Sequence, residues 1–283
     1  NATVKGRVAQ DFKSADLALA GAAQAGLANA FIDPRAVSGA LRFDLRLRGP
    51  LQPSALSGRV TLSNGRASDP SLPYVLENIA GTADLAGGRA TKAFTSGIST
   101  GGTVTLSGTV GTAVPYDANL TTALQQVQLK DPQLYQTRLN GQVTVRGALL
   151  GGAVIGGDIV LNETELKIPS TSFGAAAGLD ELRHVAEPGD VRATRARAGL
   201  TGDAAAEAGG GSASGRAYPL DLRISAPQRV FVRGRGLDAE LGGEFRVQGT
   251  TANVVPSGAL NLVRGRLDIL GKRLTLSEAL LQL

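Results

Sequence analysis

The feature that most constrains this chain is a strict alternation of apolar and polar residues. In residues 41–48 the apolar positions are Leu41, Phe43, Leu45 and Leu47, and arginine or aspartate fills every position between them. Successive side chains of a β-strand point to opposite faces, so this pattern is typical of a half-buried strand. It recurs more than ten times, with almost no helical periodicity. The sequence predicts an all-β fold, an elongated and curled, mostly antiparallel sheet with an apolar interior and few short helices.

Turn signals and local motifs support strands joined by hairpins. Asn64-Gly65 and Asn140-Gly141 are predicted hairpin turns. The Ala-rich stretch 18–32 predicts at most a short amphipathic helix. Residues 234–239 match the dinucleotide-binding pattern GxGxxA, but another alternating strand follows too soon for the required helix. We therefore expect a hairpin there and no nucleotide site.

The strands repeat at long range. One set of Gly-led strands recurs every 102 residues, at Gly39, Gly141 and Gly243. A second set follows at intervals of 99 and 101 residues, at Gly58, Gly157 and Gly258. Such self-similarity predicts stacked modules that each add strands to their neighbour, with an incomplete third copy.

Composition divides the chain into three parts. Residues 1–172 are predicted to form repeated β-modules, and residues 218–283 to continue them until the chain stops within a module. Residues 173–217 are rich in Ala, Gly, Ser and acidic residues, which predicts a flexible insertion. Because the chain lacks Met throughout, we expect it to be a segment of a longer protein.

The composition argues against most catalytic chemistry. The chain has no Cys and a single His, His184, which lies in the predicted insertion, so neither a thiolate nor a two-His metal site can form. The carboxylates are scattered singly along the strands. The net charge of +5 is mild, and its basic residues alternate with apolar ones, which disfavours a nucleic-acid surface. We expect no enzyme activity, no metal, no cofactor and no nucleic-acid partner, and no helix long enough to span a membrane.

The apolar positions have two interpretations. They form either the core of a closed β-sandwich, or one open face of a curled sheet that encloses a hydrophobic groove. High Gly content and few aromatic residues, seven Phe and four Tyr, favour the open face. The predicted groove-lining residues are Leu41, Phe43, Leu45, Leu47, Val60, Leu62, Val104, Leu106, Val143, Val145, Ile159, Leu161, Leu222, Phe245, Val247, Leu260, Leu262, Leu267 and Ile269.

Three segments near the end of the chain resemble the C-terminal region of the TamB family, within the AsmA-like group of bacterial envelope proteins. They are residues 220–227, 229–243 and 258–271, and the strands at 37–50 and 56–62 are similar to the same family's repeats. The resemblance implies a sheet folded lengthwise into a taco-like trough. It also implies a periplasmic protein of a Gram-negative bacterium, anchored in the inner membrane, whose outer-membrane barrel partner is TamA.

Three functions follow as hypotheses. The resemblance implies a conduit that carries the acyl chains of phospholipids between the two membranes and supports outer-membrane biogenesis. The alternative is a scaffold or chaperone that helps insert outer-membrane β-barrel proteins, such as autotransporters, by strand pairing. A closed β-sandwich, or a repeat module of a surface adhesin, is the third.

Overall fold

The computed structural model describes residues 1–70, 72–131, 133–169 and 217–282. The chain divides into two compact units, one formed by Asn1–Ile168 with Ala217–Leu283 and the other by Pro169–Arg216. The predicted insertion 173–217 lies, except for Ala217, outside the described residues, and so does His184. The flexibility of that segment therefore stays a prediction. The first unit is one sheet of fifteen strands.

The strands follow one another along the sheet in the order of the sequence. They are β1 (Ala2–Val8), β2 (Ser14–Gln24), β3 (Ala36–Pro50), β4 (Leu56–Ser68), β5 (Val75–Ala86), β6 (Arg89–Ile98), β7 (Thr103–Gly111), β8 (Asp117–Asp131), β9 (Tyr135–Ala148), β10 (Val154–Lys167), β11 (Leu220–Gly234), β12 (Leu237–Thr250), β13 (Asn253–Ile269), β14 (Lys272–Leu276) and β15 (Leu280–Gln282). The described helical segments are short: a 3-10 turn at Ala25–Ala28, the helix α1 at Asn29–Ile32, and a 3-10 turn at Pro53–Ala55.

Each strand from β1 to β13 pairs with the next, and the sheet does not close into a barrel. All pairs are antiparallel except β10 with β11, which is parallel. Both β14 and β15 pair with β13, on different parts of its length. The predicted fold class, an all-β and mostly antiparallel curled sheet, is confirmed.

Strand β3 shows why the sequence folds this way. From Ala36 to Pro50 its residues alternate between exposed and half-buried, with the apolar side chains half-buried and Arg42, Asp44, Arg46 and Arg48 exposed. The register pairs Leu45 with Leu19 of β2 and with Gly58 of β4. Apolar residues of neighbouring strands therefore share one face, which we call the apolar face, and the charged residues share the other, the polar face.

One local prediction holds in part and another is wrong. Within the stretch 18–32, short helical segments form only at residues 25–32, because Leu17, Leu19 and Gly21 alternate with alanines and pair with β1 and β3 as part of β2. The two Asn-Gly pairs are not hairpin turns, because both lie inside strands, β4 and β9. The hairpin predicted at residues 234–239 is confirmed: β11 ends at Gly234, β12 begins at Leu237, and both linking residues have positive φ.

The asparagines serve a different purpose, at β-bulges. Asn64 has φ of 50° where the register of β4 against β5 shifts, and Asn tolerates this left-handed backbone better than most residues. Asn140 accepts a hydrogen bond through Oδ1 from the backbone N–H of Gln126, at 2.7 Å. Gln126 is itself a bulge residue of β8, with φ of 51°.

A line of such bulges crosses the sheet. A non-glycine residue with positive φ coincides with a register shift in five strands, β4, β5, β8, β10 and β11. These residues are Asn64, Asn78, Gln126, Glu163 and Arg229. A bulge adds a residue to one strand and increases its local bend and twist. The aligned bulges therefore bend the sheet along one line.

The repeat explains the parallel pair. In the first module β5, β6 and β7 lie between β4 and β8, so β4 and β8 run in the same direction. The equivalent strands of the second module, matched by Gly58 with Gly157 and Leu120 with Leu222, are β10 and β11. These two pair directly. The parallel β10–β11 pair, which we call the seam, thus joins two strands that three others separate in the first module.

Gly157 tests how tightly the repeated glycines hold neighbouring strands. It has φ of +144°, and a Cβ there would lie 2.0 Å from the backbone oxygen of Gln142 on β9. We expect Gly157→Ala to lower the free energy of unfolding by about 2 kcal/mol or more, through backbone strain. Gly97→Ala is the control, because the nearest atom to its Cβ would be the Glu77 oxygen at 3.7 Å. Equal stability losses in urea denaturation would contradict this expectation.

Candidate functional site: the apolar face of the sheet

Directly paired residues form continuous rows in which most positions carry apolar side chains and the others are glycine or threonine. One row crosses nine strands, from β4 to β12. It consists of Leu62, Gly81, Phe94, Leu106, Thr122, Val143, Gly157, Leu222 and Val247. Residues that face each other across strands point to the same side of the sheet. The apolar face is therefore one surface that continues from module to module.

All nineteen residues predicted to line a groove lie on this face by strand register. Seventeen of them are half-buried, Leu260 is buried, and Ile269 keeps 49% of its surface exposed. No large side chain among the described residues is fully buried. The face is apolar but only partly covered. That it lines a lipid groove stays a prediction.

Two buried clusters lie on the apolar face. One joins Ala226, Val230, Leu241 and Leu260, from β11 to β13. The other joins Ile98, Val127 and Leu139, from β6, β8 and β9. Leu161 of β10 packs against both clusters and so connects them beside the seam.

The sheet is bent at the second of these clusters. Tyr74, just before β5, packs against it, and burial raises the pKa of its phenol, with smaller contributions from Tyr135 and Asp69. The cluster joins Ile98 of β6 to Val127 of β8 and Leu139 of β9, so side chains of strands that are not direct neighbours in the sheet pack together here. This packing indicates that the sheet curls at the cluster.

The polar face carries ion pairs between neighbouring strands. Arg59 of β4 contacts Asp84 of β5 at 2.6 Å, and Arg223 of β11 contacts Glu244 of β12 at 2.8 Å. The hydrogen bond with Asp84 raises the pKa of Arg59, and that with Glu244 raises the pKa of Arg223. These groups are exposed, so each pair contributes little to stability by itself.

The seam has the densest ion-pair network. Glu163, a bulge residue of β10, contacts Arg138 of β9 at 3.2 Å and Arg229 of β11 at 3.1 Å. The backbone N–H of Arg229 donates to Glu240 Oε1 at 3.2 Å, and Arg264 Nε donates to Glu240 Oε2 at 2.7 Å. Ion pairs and bulges thus hold five consecutive strands together around the seam.

A concavity lies on the polar face of β3, β4 and β5. It measures about 1190 Å³, and its charged lining residues are Arg42, Asp44, Arg46, Arg59 and Asp84, which belong to β3, β4 and β5. Pocket shape alone would therefore point to the charged side of the sheet. The apolar face is distinguished by its continuity across the strands.

Sequence reasoning missed part of the apolar face. Leu120 and Leu124 are followed on the same face by Val127 and Leu129, because the bulge at Gln126 changes which alternate positions face that side. A search for unbroken alternation ends at such a point. The sequence signal that could have identified Val127 and Leu129 is the switch of apolar residues from even to odd positions within one strand.

The described residues contain no group of three or more His, Asp or Glu side chains placed to hold a metal ion. Most residues of the apolar face are aliphatic, aromatic or small, with isolated hydroxyls and few charged side chains. Such a surface can bind apolar groups by excluding water from them.

Comparison with protein families identifies the chain. A family model for the TamB C-terminal domain matches residues 91–282, about two thirds of the chain. The chain belongs to the TamB family. The match covers β7 to β15 with most of β6, including the seam and all strands of the second and third modules. Comparisons with curated proteins and with solved structures gave no match.

Membership in the TamB family links this chain to outer-membrane assembly in the Gram-negative envelope, and to the translocation and assembly module that TamB forms with TamA. In the part of the chain that the structure describes, none of the helices is long and apolar enough to cross a membrane.

A buried hydroxyl pair tests the packing of the apolar face beside the seam. Thr137 of β9 and Thr164 of β10 are both buried, and their hydroxyl oxygens are 2.7 Å apart. We expect Thr164→Val to cost roughly 1–3 kcal/mol of unfolding free energy, because it leaves the Thr137 hydroxyl without this partner. The double variant with Thr137→Val should recover most of that loss. Urea denaturation measures both, and a double variant no more stable than the single one would disprove the pairing.

Proposed function

We propose that this chain is a periplasmic segment of a conduit that carries phospholipids between the inner and outer membranes. The observation that carries the proposal is the apolar face, which continues across fifteen strands without a second sheet over it among the described residues. A closed sandwich would cover these side chains, but most of them are only half-buried. The family's association with outer-membrane assembly is consistent with this function.

The energetics suit acyl chains. Each methylene group that leaves water for an apolar surface is stabilised by ~0.8 kcal/mol, without any directional contact. The rows of the apolar face continue from strand to strand, so successive positions offer an acyl chain similar apolar contacts. The acyl chain can therefore move along the face without crossing a polar barrier at each step. The proposed transfer needs no catalytic group and no cofactor. The full protein would be anchored in the inner membrane and would meet TamA at the outer membrane.

A photo-crosslinking experiment tests this function. Leu45 lies half-buried on the apolar face, and Arg46, the next residue, is exposed on the polar face. In cells, a photoreactive amino acid at Leu45 should capture phospholipid at a level at least about tenfold above that at Arg46. Val145 and Arg146 of β9 form a second matched pair. Equal capture on both faces would contradict the conduit.

A second function, strand pairing with barrel proteins during their insertion, is favoured by one observation. The stretch Asn253–Gly258 of β13 pairs with β12 and, among the described residues, has no backbone partner on its other side. An open strand edge can accept an added strand. Pro256 lacks an N–H group, which limits such pairing at the middle of this edge.

The two functions predict opposite results for one substitution. Leu45→Asp places a charge on the apolar face far from the β13 edge, so a conduit should lose most lipid transfer while strand pairing should be unchanged. The measurement compares phospholipid transport with assembly of an autotransporter barrel in the same cells. Normal lipid transport together with normal barrel assembly in Leu45→Asp would exclude the conduit.

A further inference from the structure

Among the residues that the structure describes, one lysine interrupts the interior of the apolar face. Lys92 is the fourth residue of β6, and the register pairs it with Ala83 of β5 and Gly108 of β7. Both neighbours continue into apolar rows, to Val60 on β4 and Leu120 on β8. Along its own strand, Lys92 lies between Ala90 and Phe94 on the same face. Its side chain therefore begins among apolar residues, and the residue is half-buried.

No carboxylate on this face is placed to neutralise Lys92. Among the described residues, the register puts the other charged side chains of the apolar face at strand ends, Asp131 closing β8 and Lys272 opening β14. Asp131 lies eleven residues beyond Leu120, the residue in the row of Lys92, which corresponds to more than about 30 Å along the strand. None of the ion pairs of the described residues includes Lys92.

The surroundings of Lys92 leave room for a ligand. The residues directly opposite it on both sides are Ala83 and Gly108, so no large side chain crowds the ammonium group from its own row. In an empty sheet a lysine at such a position can extend its ammonium group into water. When acyl chains cover the face, that water is displaced, and a charge without a partner becomes unfavourable.

We propose that Lys92 contacts the anionic phosphate of a phospholipid headgroup while the acyl chains lie on the apolar face. The inference rests on the proposed conduit and adds to it a determinant of headgroup selectivity. An ammonium group donates hydrogen bonds to phosphate as a point charge, without the fixed geometry that arginine requires. The contact therefore distinguishes phospholipids from uncharged lipids with the same acyl chains.

The test compares two lipids and three variants of the intact protein. The lipids are dioleoyl-phosphatidylglycerol and dioleoylglycerol, which share acyl chains and differ in the phosphate. Each carries a fluorescent label in one chain and is offered in vesicles, and its equilibrium transfer to the protein is measured. Lys92→Met removes the charge and keeps the length, whereas Lys92→Arg keeps a charge. Lys130→Met removes the same charge from an exposed position of the polar face of β8 and is the matched control.

We expect Lys92→Met to bind phosphatidylglycerol about tenfold more weakly, as for the loss of one charge-assisted hydrogen bond. Its binding of dioleoylglycerol should equal that of the wild type or exceed it. Lys92→Arg and Lys130→Met should bind both lipids as the wild type does. A merely structural role of Lys92 would change the binding of both lipids together.

The test distinguishes a failure of the headgroup contact at Lys92 from a failure of the conduit. If the wild type and Lys92→Met bind phosphatidylglycerol equally, Lys92 does not contact the phosphate, although the conduit stands. If Lys92→Met loses both lipids equally, the headgroup contact is again excluded. If the wild type takes up neither lipid, both the conduit and the contact at Lys92 are wrong.

Discussion

Backbone pairing between consecutive strands is the constraint on which the rest of this structure depends. In a sheet of a single layer, no packed second layer corrects an error of register. A slip by one residue would move every apolar side chain of a strand to the charged face. The cross-strand rows show that the apolar positions remain on one side over the whole sheet, through an all-antiparallel region, a parallel seam and a line of bulges.

The bulges are compatible with this constraint because the apolar residues switch between even and odd positions where the bulges occur. In β8 the apolar positions are even up to Leu124 and odd from Val127, on either side of Gln126. In β13 Leu262 and Leu267 share a face although their numbers differ in parity, since the register shifts between them. Each bulge bends the sheet, and the change of phase keeps the apolar residues on one face. Curvature and amphipathicity are thus encoded by the same residues.

The sequence predicted the strands and their faces well, because alternation is a local signal and each strand here has one half-buried face. Leu41 to Leu47 illustrate this. The glycines that recur every 102 residues, Gly39, Gly141 and Gly243, lie in β3, β9 and β12. The division into modules stays a prediction. Sequence reasoning failed at Asn64 and Asn140, because the same Asn-Gly pair suits a hairpin turn or a bulge, and the choice depends on the strand opposite. The seam was equally invisible, since the pairing of β10 with β11 leaves no local pattern in the sequence.

Lys92 lies on a strand that has no counterpart among the described strands of the second module. Strand β6 belongs to the three strands that lie between β4 and β8 in the first module, while their second-module equivalents, β10 and β11, pair directly. The apolar rows recur in every module, but this lysine stands on a strand outside the recurring pairs. If every module carried such a charge, each would bind a headgroup and slow the movement of the lipid. In the proposed conduit, apolar rows with a charged position inside them at Lys92 would combine movement along the face with headgroup selection at β6.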